Sequence, residues 1–329
     1  MSTSRSAPVA TGRHVRWGVV VAVLLAALCA CAGPADVQAP PPPSGAAGDF
    51  AQAVDIGGRR VYIECHGANG PGRHTVVLIS GYHDSGDAWS VDEIIQAPAV
   101  GPAVPVALAR DHRVCTYDRP GTIRTALQGN PLTERSTPVP QPRTAADVVA
   151  ELHAVLGAAG VPGPYVLTAH SLGGLFARLY AQTHPDQVAG VVFVDAFSAT
   201  VPAVFGTRWP IYRDSYLDAV PPGTVLAAPE SEKIDIDASV RQVLTGPAFP
   251  PVPIDVLTKT EPFQTTLPPP PGLSVADLNQ LYESAEADLV ALRPNTPHTI
   301  ATGDAHYIQW QSPDLVVSAT ELVDGRTAH

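Results

Sequence analysis

The sequence predicts an α/β fold in which helices cover a buried sheet. Short apolar, β-prone runs alternate along the chain with segments of helical spacing, as in proteins whose strands and helices follow each other in turn. One of these runs, residues 191–194, is apolar at every position, which is typical of a strand covered on both faces. Hydrophobic residues make up 45% of the 329 residues and charged residues only 16%, so we expect one large core in a single domain.

The chain opens with a predicted export leader. Three arginines precede an apolar run over residues 19–28, and small residues with cysteine follow, which is the pattern of a signal peptide. The apolar run is short for a membrane-spanning helix. We therefore predict a signal peptide over residues 1–31 with a lipobox-like cleavage site.

Cys31 is the predicted lipidation site. Alanine precedes it and leucine stands three positions before it, as in a bacterial lipobox, whereas Cys29 follows a leucine and fits poorly. A lipid on Cys31 would hold the exported protein on the outer face of the cell membrane. Cleavage near Ala30 or Ala32 with free secretion stays open as an alternative, as does retention as an uncleaved anchor.

A linker rich in proline, glycine and alanine is predicted over residues 32–50, before a folded domain over residues 51–329. Its four consecutive prolines predict a semi-rigid spacer, and the Ser-Gly-Ala-Ala-Gly segment after them a flexible one. Removing the leader takes away three arginines and no acidic residue, which leaves 17 basic and 31 acidic side chains and a formal charge of −14. Nucleic acid is not expected as a partner of so acidic a protein.

A serine between a predicted strand and a predicted helix is the most informative feature of the domain. Residues 165–180 pass from a β-prone apolar run to Ser171 and then to helical spacing. A nucleophilic serine on such a turn takes strained backbone angles, so only small residues fit two positions before and after it, and Ala169 and Gly173 meet this requirement. Alanine stands here where the usual pattern has glycine. Such strings also arise by chance, so the surrounding residues decide the interpretation.

Activation of a serine hydroxyl needs a histidine base. Residues 298–310 predict a last strand, a loop of small residues and His306 at the start of a helix, which makes His306 the candidate base. His170 adjoins Ser171 and is expected to point away from its hydroxyl. His184 lies in a His-Pro pair that ends a helix, so both histidines are predicted to be packing or surface residues.

The histidine in turn needs a carboxylate that orients its ring. Asp195 follows the apolar strand at the carboxyl end of the sheet, where catalytic side chains gather in open α/β folds. The alternative is Glu261, which comes after a later β-prone segment, residues 254–258. We favour Asp195, because no glycine-flanked aspartate follows the later segment. A purely structural turn aspartate is the other interpretation of Asp195.

Backbone N–H groups must stabilise the negative charge that develops on the attacked carbonyl oxygen. Leu172, directly after the serine, and Tyr82, in the loop after a predicted strand over residues 75–81, are the candidate donors of this oxyanion hole. Ser80-Gly81 stands before Tyr82 in place of the more common His-Gly. Donation by a backbone group does not depend on that side chain.

Four segments, taken in chain order, resemble landmarks of the α/β-hydrolase superfamily, which contains esterases, lipases, peptidases and epoxide hydrolases. They are Ser80-Gly81-Tyr82, Tyr117-Asp118-Arg119-Pro120-Gly121, Ala169-His170-Ser171-Leu172-Gly173-Gly174 and Ala305-His306-Tyr307-Ile308. The resemblance spans residues 54–323. It implies a mostly parallel eight-stranded sheet with helices on both faces and a small inserted cap at about residues 197–253.

The resemblance implies an enzyme that cleaves carboxylic esters through an acyl-enzyme intermediate on Ser171, with a small-molecule ester or a lipid as substrate. The chain shows no metal-ligand spacing, phosphate-binding loop or dinucleotide fingerprint, so no metal and no cofactor are expected. Two alternatives stay open. One is an aminopeptidase or amidase of the same fold, and the other is a catalytically inactive binding protein, motivated by Ala169 and by the missing acid after residues 254–258.

The resemblance also assigns supporting roles. The cap would form the acyl or leaving-group pocket, so Trp209, Tyr212 and Tyr216 are candidate substrate contacts, although aromatic residues there also pack a cap onto the sheet. Residues 232–244 of the cap have helical spacing. The loop that contains Arg119 is expected to brace the rim of the site and is not counted as catalytic.

Two cysteines remain in the domain after export. The resemblance places Cys65 and Cys115 on neighbouring strands, which predicts a cross-strand disulfide in an oxidising compartment. Two small buried thiols are the alternative.

Overall fold

One sheet runs through the part of the chain that the structure describes. The computed structural model describes residues 48–90, 101–263 and 269–327, so the predicted leader, Cys31 and most of the predicted linker lie outside the described residues. The strands, in chain order, are β1 (Phe50–Asp55), β2 (Arg60–His66), β3 (Thr75–Ile79), β4 (Val114–Asp118), β5 (Tyr165–His170), β6 (Val188–Val194), β7 (Ile254–Lys259) and β8 (His298–Ala301).

These eight described strands lie side by side in the order β1-β2-β4-β3-β5-β6-β7-β8. β1 pairs antiparallel with β2, and β2 pairs antiparallel with β4. All other pairs are parallel, which confirms the predicted mostly parallel eight-stranded sheet. Because parallel strands end at the same edge, the loops after β3, β5, β6 and β8 come together there.

Helices cover both faces of the sheet. They are α1 (Val104–Leu108), α2 (Ala145–Ala158), α3 (Gly173–Thr183), α4 (Val201–Phe205), α5 (Trp209–Tyr212), α6 (Ile236–Thr245), α7 (Val275–Ala291), α8 (Ile308–Gln311) and α9 (Pro313–Gly325). Side chains of α2, α3, α6 and α7 belong to the core on one face of the sheet. Side chains of α1 and α9 belong to the core on the other face.

The central strands are buried along their whole length. Every residue of β3, β5, β6 and β7 is buried, as expected for apolar strands that are covered on both faces. Burial of each large apolar side chain contributes about 1.5–3 kcal/mol. The loops that follow these strands are therefore held on the most stable part of the molecule.

Capping boxes begin the two longest described helices. At the start of α2, the Thr144 hydroxyl accepts the Asp147 N–H and the Asp147 carboxylate accepts the Thr144 N–H. Ser274 and Asp277 make the same reciprocal pair at the start of α7. A cap of this kind contributes about 1 kcal/mol. The sequence thus fixes where both helices begin.

The segment between β6 and β7 forms a cap of short helices, with α4 and α5 followed by a wider π-helical turn at Arg213–Leu217 and then by α6. Helix α6 begins at Ile236, four residues later than the spacing predicted. Asp235 sets this start, because its side chain accepts the Ala238 N–H at 2.8 Å. The residues before it follow the rim of the sheet instead, and Glu232 among them is fully buried.

The predicted cysteine pair lies at one side of the sheet. Cys65 on β2 and Cys115 on β4 face each other directly in the antiparallel register, and their sulfur atoms are bonded. Their Cα atoms are 4.1 Å apart. The bond ties the antiparallel edge of the sheet to its parallel part.

Among the residues that the structure describes, no helix is both long enough and apolar enough to cross a lipid bilayer.

Candidate active site

Ser171 occupies the turn between β5 and α3. Its φ angle is +53°, in the left-handed region that non-glycine residues rarely adopt. Its N–H donates to the Val194 carbonyl oxygen at 3.1 Å, and its own carbonyl oxygen accepts the Phe197 N–H at 2.8 Å. These two bonds hold the serine backbone against the loop after β6, so the surrounding structure maintains the strained turn.

The residues two positions away from Ser171 show why the turn needs small side chains. A Cβ atom on Gly173 would lie 2.5 Å from the Ile79 carbonyl oxygen, so only glycine fits there without a backbone shift. Ala169 pairs with Ile79 on β3 and with Phe193 on β6, and its methyl group is fully buried. The departure from glycine at this position is therefore accommodated.

The three predicted triad residues are in hydrogen-bond contact. His306 Nε2 lies 2.9 Å from Ser171 Oγ, and His306 Nδ1 lies 2.5 Å from Asp195 Oδ2. Since an ionised carboxylate only accepts hydrogen bonds, Nδ1 carries the proton and Nε2 is left to accept from the serine hydroxyl. This is the arrangement that a histidine base requires.

Asp195 is held rigidly below the histidine. It is fully buried, its φ angle is +40°, and its N–H donates to the Leu257 carbonyl oxygen at 2.8 Å. Its Oδ1 accepts the Lys259 N–H at 3.2 Å, and its carbonyl oxygen accepts the Tyr282 hydroxyl at 2.9 Å. Strand β7 thus holds the N–H and the carboxylate of Asp195, and helix α7 holds its carbonyl oxygen.

The alternative acid lies elsewhere. Glu261 is exposed, and its N–H donates to the Asp304 carbonyl oxygen at 2.9 Å. Among the described residues, the hydrogen bonds of the His306 ring run to Ser171 and Asp195, not to Glu261.

His170 supports His306 from behind. It is almost fully buried, and its Nε2 lies 2.9 Å from the His306 carbonyl oxygen. Burial, followed by the nearby His306, holds the pKa of His170 well below its usual value, so its ring is neutral and donates this bond. We expected His170 to point away from the serine hydroxyl, and its ring contacts the His306 backbone instead. His184, the other histidine that the sequence offered, stacks on His153 at a ring distance of 4.2 Å.

The predicted oxyanion donors lie on the two loops that meet at the serine. A Cβ atom on Gly81 would come within 3.0 Å of Ser171 Cβ, which places the loop after β3 directly against the nucleophile. Within the described residues, neither the Tyr82 N–H nor the Leu172 N–H has a hydrogen-bond acceptor. Both groups are therefore available to a negatively charged oxygen at Ser171.

A buried ion pair supports the loop after β3. Arg119 and Glu232 are both fully buried, with Arg119 Nε 2.6 Å from Glu232 Oε1. The guanidinium group also donates to the carbonyl oxygens of Ser80 at 3.0 Å and Gly81 at 2.5 Å, and Glu232 Oε2 accepts the His83 N–H at 2.8 Å. The pair thus holds the loop on both sides of Tyr82.

The bracing role of Arg119 was expected from the sequence, but its partner was not. Glu232 is 113 positions away and was assigned to the start of a helix. The signal that could have revealed it is Asp235, a helix-capping residue that excludes the positions before it from α6.

A cavity of about 220 Å³ lies above the serine. Two of the three aromatic cap residues predicted to contact substrate, Tyr212 and Tyr216, line it. The third, Trp209, packs near Phe197 and donates its indole N–H to Asp237 at 2.7 Å. Lining residues that sequence reasoning did not single out include Phe263, Leu278 and Tyr282.

Asp84 contributes a carboxyl group to the lining of this cavity. It is buried, and Tyr307 donates its hydroxyl hydrogen to Asp84 Oδ2 at 3.2 Å. Burial raises the pKa of Asp84 to about 7, although the charge of Arg119 opposes the shift. No sequence signal set this residue apart from other loop aspartates.

A metal site needs several acidic, histidine or cysteine side chains that lie close together in space. The described part of the chain contains no group of three or more of them that could hold a metal ion.

With this geometry established, the family can be identified. Residues 74–251 match the family described as "alpha/beta hydrolase fold". The match covers more than half of the chain, so the chain belongs to this family and is a hydrolase of the α/β fold.

Individual relatives match over part of their length. The chain is 32% identical over 154 residues to "Uncharacterized protein C23C11.06c" of Schizosaccharomyces pombe, which covers 42% of this chain and 26% of that protein. It is 30% identical over 162 residues to "Putative carbamate hydrolase RutD" of a Caulobacter species, which covers 48% of this chain and 52% of that protein. The chain thus spans about a quarter to a half of the length of these relatives.

Solved structures share the fold at low sequence identity. A crystal structure titled as a "putative lipase (lip1)" from Acinetobacter baumannii aligns with a TM-score of 0.55 and 17% identity, covering 85% of this chain and 92% of that one. A structure titled as a "putative epoxide hydrolase" from Pseudomonas aeruginosa aligns with a TM-score of 0.53 and 14% identity, covering 85% and 96%. At this identity the likeness concerns the fold alone.

Proposed function

We propose that the protein is a serine hydrolase that cleaves carboxylic esters through an acyl-enzyme intermediate. The observation that carries the proposal is the continuous hydrogen-bonded line from Ser171 through His306 to Asp195. His306 Nε2 is positioned to accept the serine proton, and Asp195 is positioned to orient the ring and stabilise its charged form. Two backbone N–H groups that have no acceptor among the described residues lie beside the nucleophile.

In the first step, Ser171 Oγ forms a bond to the ester carbonyl carbon and its proton passes to His306 Nε2. The carbonyl electron pair moves onto oxygen, where the N–H groups of Tyr82 and Leu172 stabilise it. The carbon then loses the alcohol, which takes the proton from His306 as it leaves.

In the second step, water replaces the alcohol. His306 Nε2 accepts a proton from water as the water oxygen bonds to the acyl carbon. The bond between that carbon and Ser171 Oγ then breaks, His306 returns the proton to Ser171 Oγ, and the acyl group leaves as a carboxylic acid. Asp195 stays ionised throughout and stabilises the charged imidazole. A serine at this turn also argues against epoxide opening, which in related enzymes uses an aspartate there.

Carbamates are a second substrate class that the same chemistry can cleave. The relative named "Putative carbamate hydrolase RutD" shares 30% identity over 162 residues with this chain. A carbamate presents the same electrophilic carbonyl carbon, and its N–H can donate to the buried Asp84 carboxyl group in the cavity. Amide hydrolysis belongs to the same class of reaction.

Hydrolysis of p-nitrophenyl esters from acetyl to palmitoyl tests the proposal on the fragment that begins near residue 45. We expect Ser171→Ala to lower kcat by about 10⁴-fold or more, and Asp195→Asn to lower it by about 10⁴-fold because the histidine tautomer changes. Glu261→Gln is the matched control and should retain activity. If Glu261→Gln abolishes turnover in a folded protein and Asp195→Asn does not, the assignment of the acid is wrong.

We further propose that the protein is exported and tethered to the membrane through a lipid on Cys31. The charged, apolar and small-residue order of the leader supports export, and the bonded Cys65–Cys115 pair is consistent with an oxidising compartment. Labelling of expressing bacteria with a fatty-acid probe should mark the full-length protein. Loss of the label in Cys31→Ser, but not in Cys29→Ser, is expected, and equal labelling of all three proteins would contradict the assignment.

A further inference from the structure

A second cavity adjoins the one above the serine. It encloses about 460 Å³, and Tyr82 and His83 line both cavities. Sites that bind small molecules usually measure about 300–1,000 Å³, so the cavity of about 220 Å³ at Ser171 is small for anything beyond a short acyl group. Together the two cavities fall well inside the usual range.

Tyr82 and His83 form the wall between the cavities. Their rings stack at 3.7 Å with an angle of 16° between planes. The Tyr82 hydroxyl accepts the Ile234 N–H at 3.0 Å and lies 3.2 Å from Asp218 Oδ1. Tyr82 is therefore anchored to the cap through its hydroxyl group. The backbone of Tyr82 faces Ser171.

The wall contains a polar atom that lacks a partner. His83 Nδ1 is buried and has no hydrogen-bond partner among the described residues. A buried nitrogen that makes no hydrogen bond is energetically unfavourable, because it has lost its contact with water. A polar group on a ligand that crosses the wall would relieve this cost, which points to this junction as part of a binding site.

Apolar side chains supply much of the second cavity's lining. They are Pro142, Ala219, Val220, Leu226, Ile234 and Ile236. The lining also contains six charged residues, of which five have partners within the protein and one, Lys233, is exposed to solvent. Glu232 pairs with Arg119, Arg213 pairs with Asp237, Asp218 accepts the Tyr82 hydroxyl, and Asp235 caps α6. The lining thus suits an alkyl or aryl group better than an ionic one.

We propose that this second cavity binds the distal alkyl or aryl part of the acyl group of an ester whose carbonyl carbon lies at Ser171. The chain of such a substrate runs from the serine across the Tyr82–His83 wall into the second cavity. This inference rests on the proposed esterase function and extends it, because it assigns medium-length acyl chains as the substrate class and names the residues that bind them.

Filling the second cavity tests the inference without touching the catalytic residues. Leu226→Trp places a large ring in the cavity and should lower kcat/KM for p-nitrophenyl decanoate by about tenfold or more, because several methylene groups lose their apolar contacts. Turnover of p-nitrophenyl acetate should stay within about twofold. Leu244→Trp is the matched control, since Leu244 is an exposed leucine on α6 of the same cap and should leave both rates unchanged.

Binding of decanoate gives a readout that does not depend on turnover. Calorimetry on Ser171→Ala should detect decanoate, and the double variant with Leu226→Trp should bind it about tenfold more weakly. If no ester is turned over but the two proteins still differ in decanoate affinity, the esterase proposal is overturned and the cavity assignment stands. Equal decanoate affinity and equal decanoyl turnover in both proteins would overturn the inference and leave the esterase proposal standing.

The melting temperature of Leu226→Trp shows whether the variant folds normally. If Leu226→Trp has a lowered melting temperature, Val220→Trp replaces it, because Val220 lines the same cavity and is 45% exposed. Loss of acetyl and decanoyl turnover by the same factor in a folded Val220→Trp protein would overturn the inference.

Discussion

Replacing Glu232 with glutamine should destabilise the protein and slow ester hydrolysis together. The carboxylate accepts hydrogen bonds from Arg119 Nε at 2.6 Å, from Arg119 Nη2 at 3.0 Å and from the His83 N–H at 2.8 Å. Glutamine keeps one acceptor oxygen but turns an NH₂ group towards these donors and leaves the Arg119 charge without a counter-ion. The same change loosens the loop that presents the Tyr82 N–H to the substrate.

The size of the effect follows from the burial of the pair. Both side chains are fully buried, and removing one partner of such a pair costs about 3–5 kcal/mol. Glutamine retains part of the hydrogen bonding, so we expect a loss of about 3 kcal/mol. For a domain of this size that lowers Tm by roughly 6–12 °C. Displacement of one oxyanion donor should lower kcat by about tenfold or more, towards the 10²–10³-fold that complete loss would give.

The pH dependence of the pair gives a second check. Burial disfavours the ionised form of Glu232, but the charge and hydrogen bonds of Arg119, together with those of His83, outweigh it and hold the pKa of Glu232 below its usual value of 4.5. A carboxyl group with a lowered pKa stabilises the fold above that usual value, and the stabilisation is lost as the pH falls through the folded-state pKa. The difference in stability between the native protein and Glu232→Gln should therefore be present at pH 7 and shrink in acid.

Urea unfolding and p-nitrophenyl acetate kinetics measure both effects, with Glu134→Gln as the matched control. Glu134 also pairs with an arginine, at 2.9 Å from Arg124, but its side chain is 66% exposed, so its loss should cost less than about 1 kcal/mol. If Glu232→Gln unfolds at the same urea concentration as Glu134→Gln and keeps full kcat, the reasoning about the buried pair is refuted.

Three further predictions concern other parts of the fold. Replacing Cys65 and Cys115 together with serine should lower stability by about 2–4 kcal/mol under non-reducing conditions, and a reducing agent should remove the difference from the native protein; an unchanged urea midpoint would show that the bond contributes nothing. Gly173→Ala should destabilise the protein by about 1–3 kcal/mol, because its Cβ has no room, whereas Ala169→Gly should cost about 1 kcal/mol or less; the reverse order in thermal melting would contradict the packing argument. Since burial raises the pKa of Asp84 to about 7 from its usual 3.8, the folded protein binds more protons than the unfolded one between these values and its stability should fall as the pH rises through that range; Asp84→Asn should flatten this slope in urea titrations, and an unchanged slope would contradict the assignment.

Much of the fold follows from local patterns in the sequence. Strand β6 is a continuous apolar run, and its burial on both faces is what such a run requires. Strands β5 and β7 are β-prone segments that also contain polar residues, and they are equally buried. The capping box of α2 and the small residues around Ser171 are likewise local signals. They fix the positions of a helix and of a strained turn before any tertiary contact is considered.

The site was predicted as far as backbone topology determines it. Ser171, Asp195 and His306 each follow a strand of the parallel sheet, so the sheet itself brings them to one edge. Tyr82 and Leu172 follow from the same geometry, because their role depends on backbone position and not on the side chain.

Residues whose role depends on cap folding were not predictable in this way. Glu232 reaches Arg119 only because the chain before α6 runs along the rim, and a helical pattern over residues 232–244 concealed this. Asp84 and Tyr307 meet through loops 223 positions apart. The second cavity arises from the relative placement of the cap and the loop after β3, which no local pattern encodes.

Covalent labelling tests the central claim most directly, because only a serine activated by its histidine and faced by a formed oxyanion hole reacts rapidly with a fluorophosphonate. The account predicts that intact-mass and peptide analysis will find one label on Ser171, and that His306→Ala and Asp195→Asn will slow labelling sharply while Glu261→Gln will not. Absence of label on Ser171 in the folded native protein, or labelling that survives His306→Ala at the native rate, would contradict it.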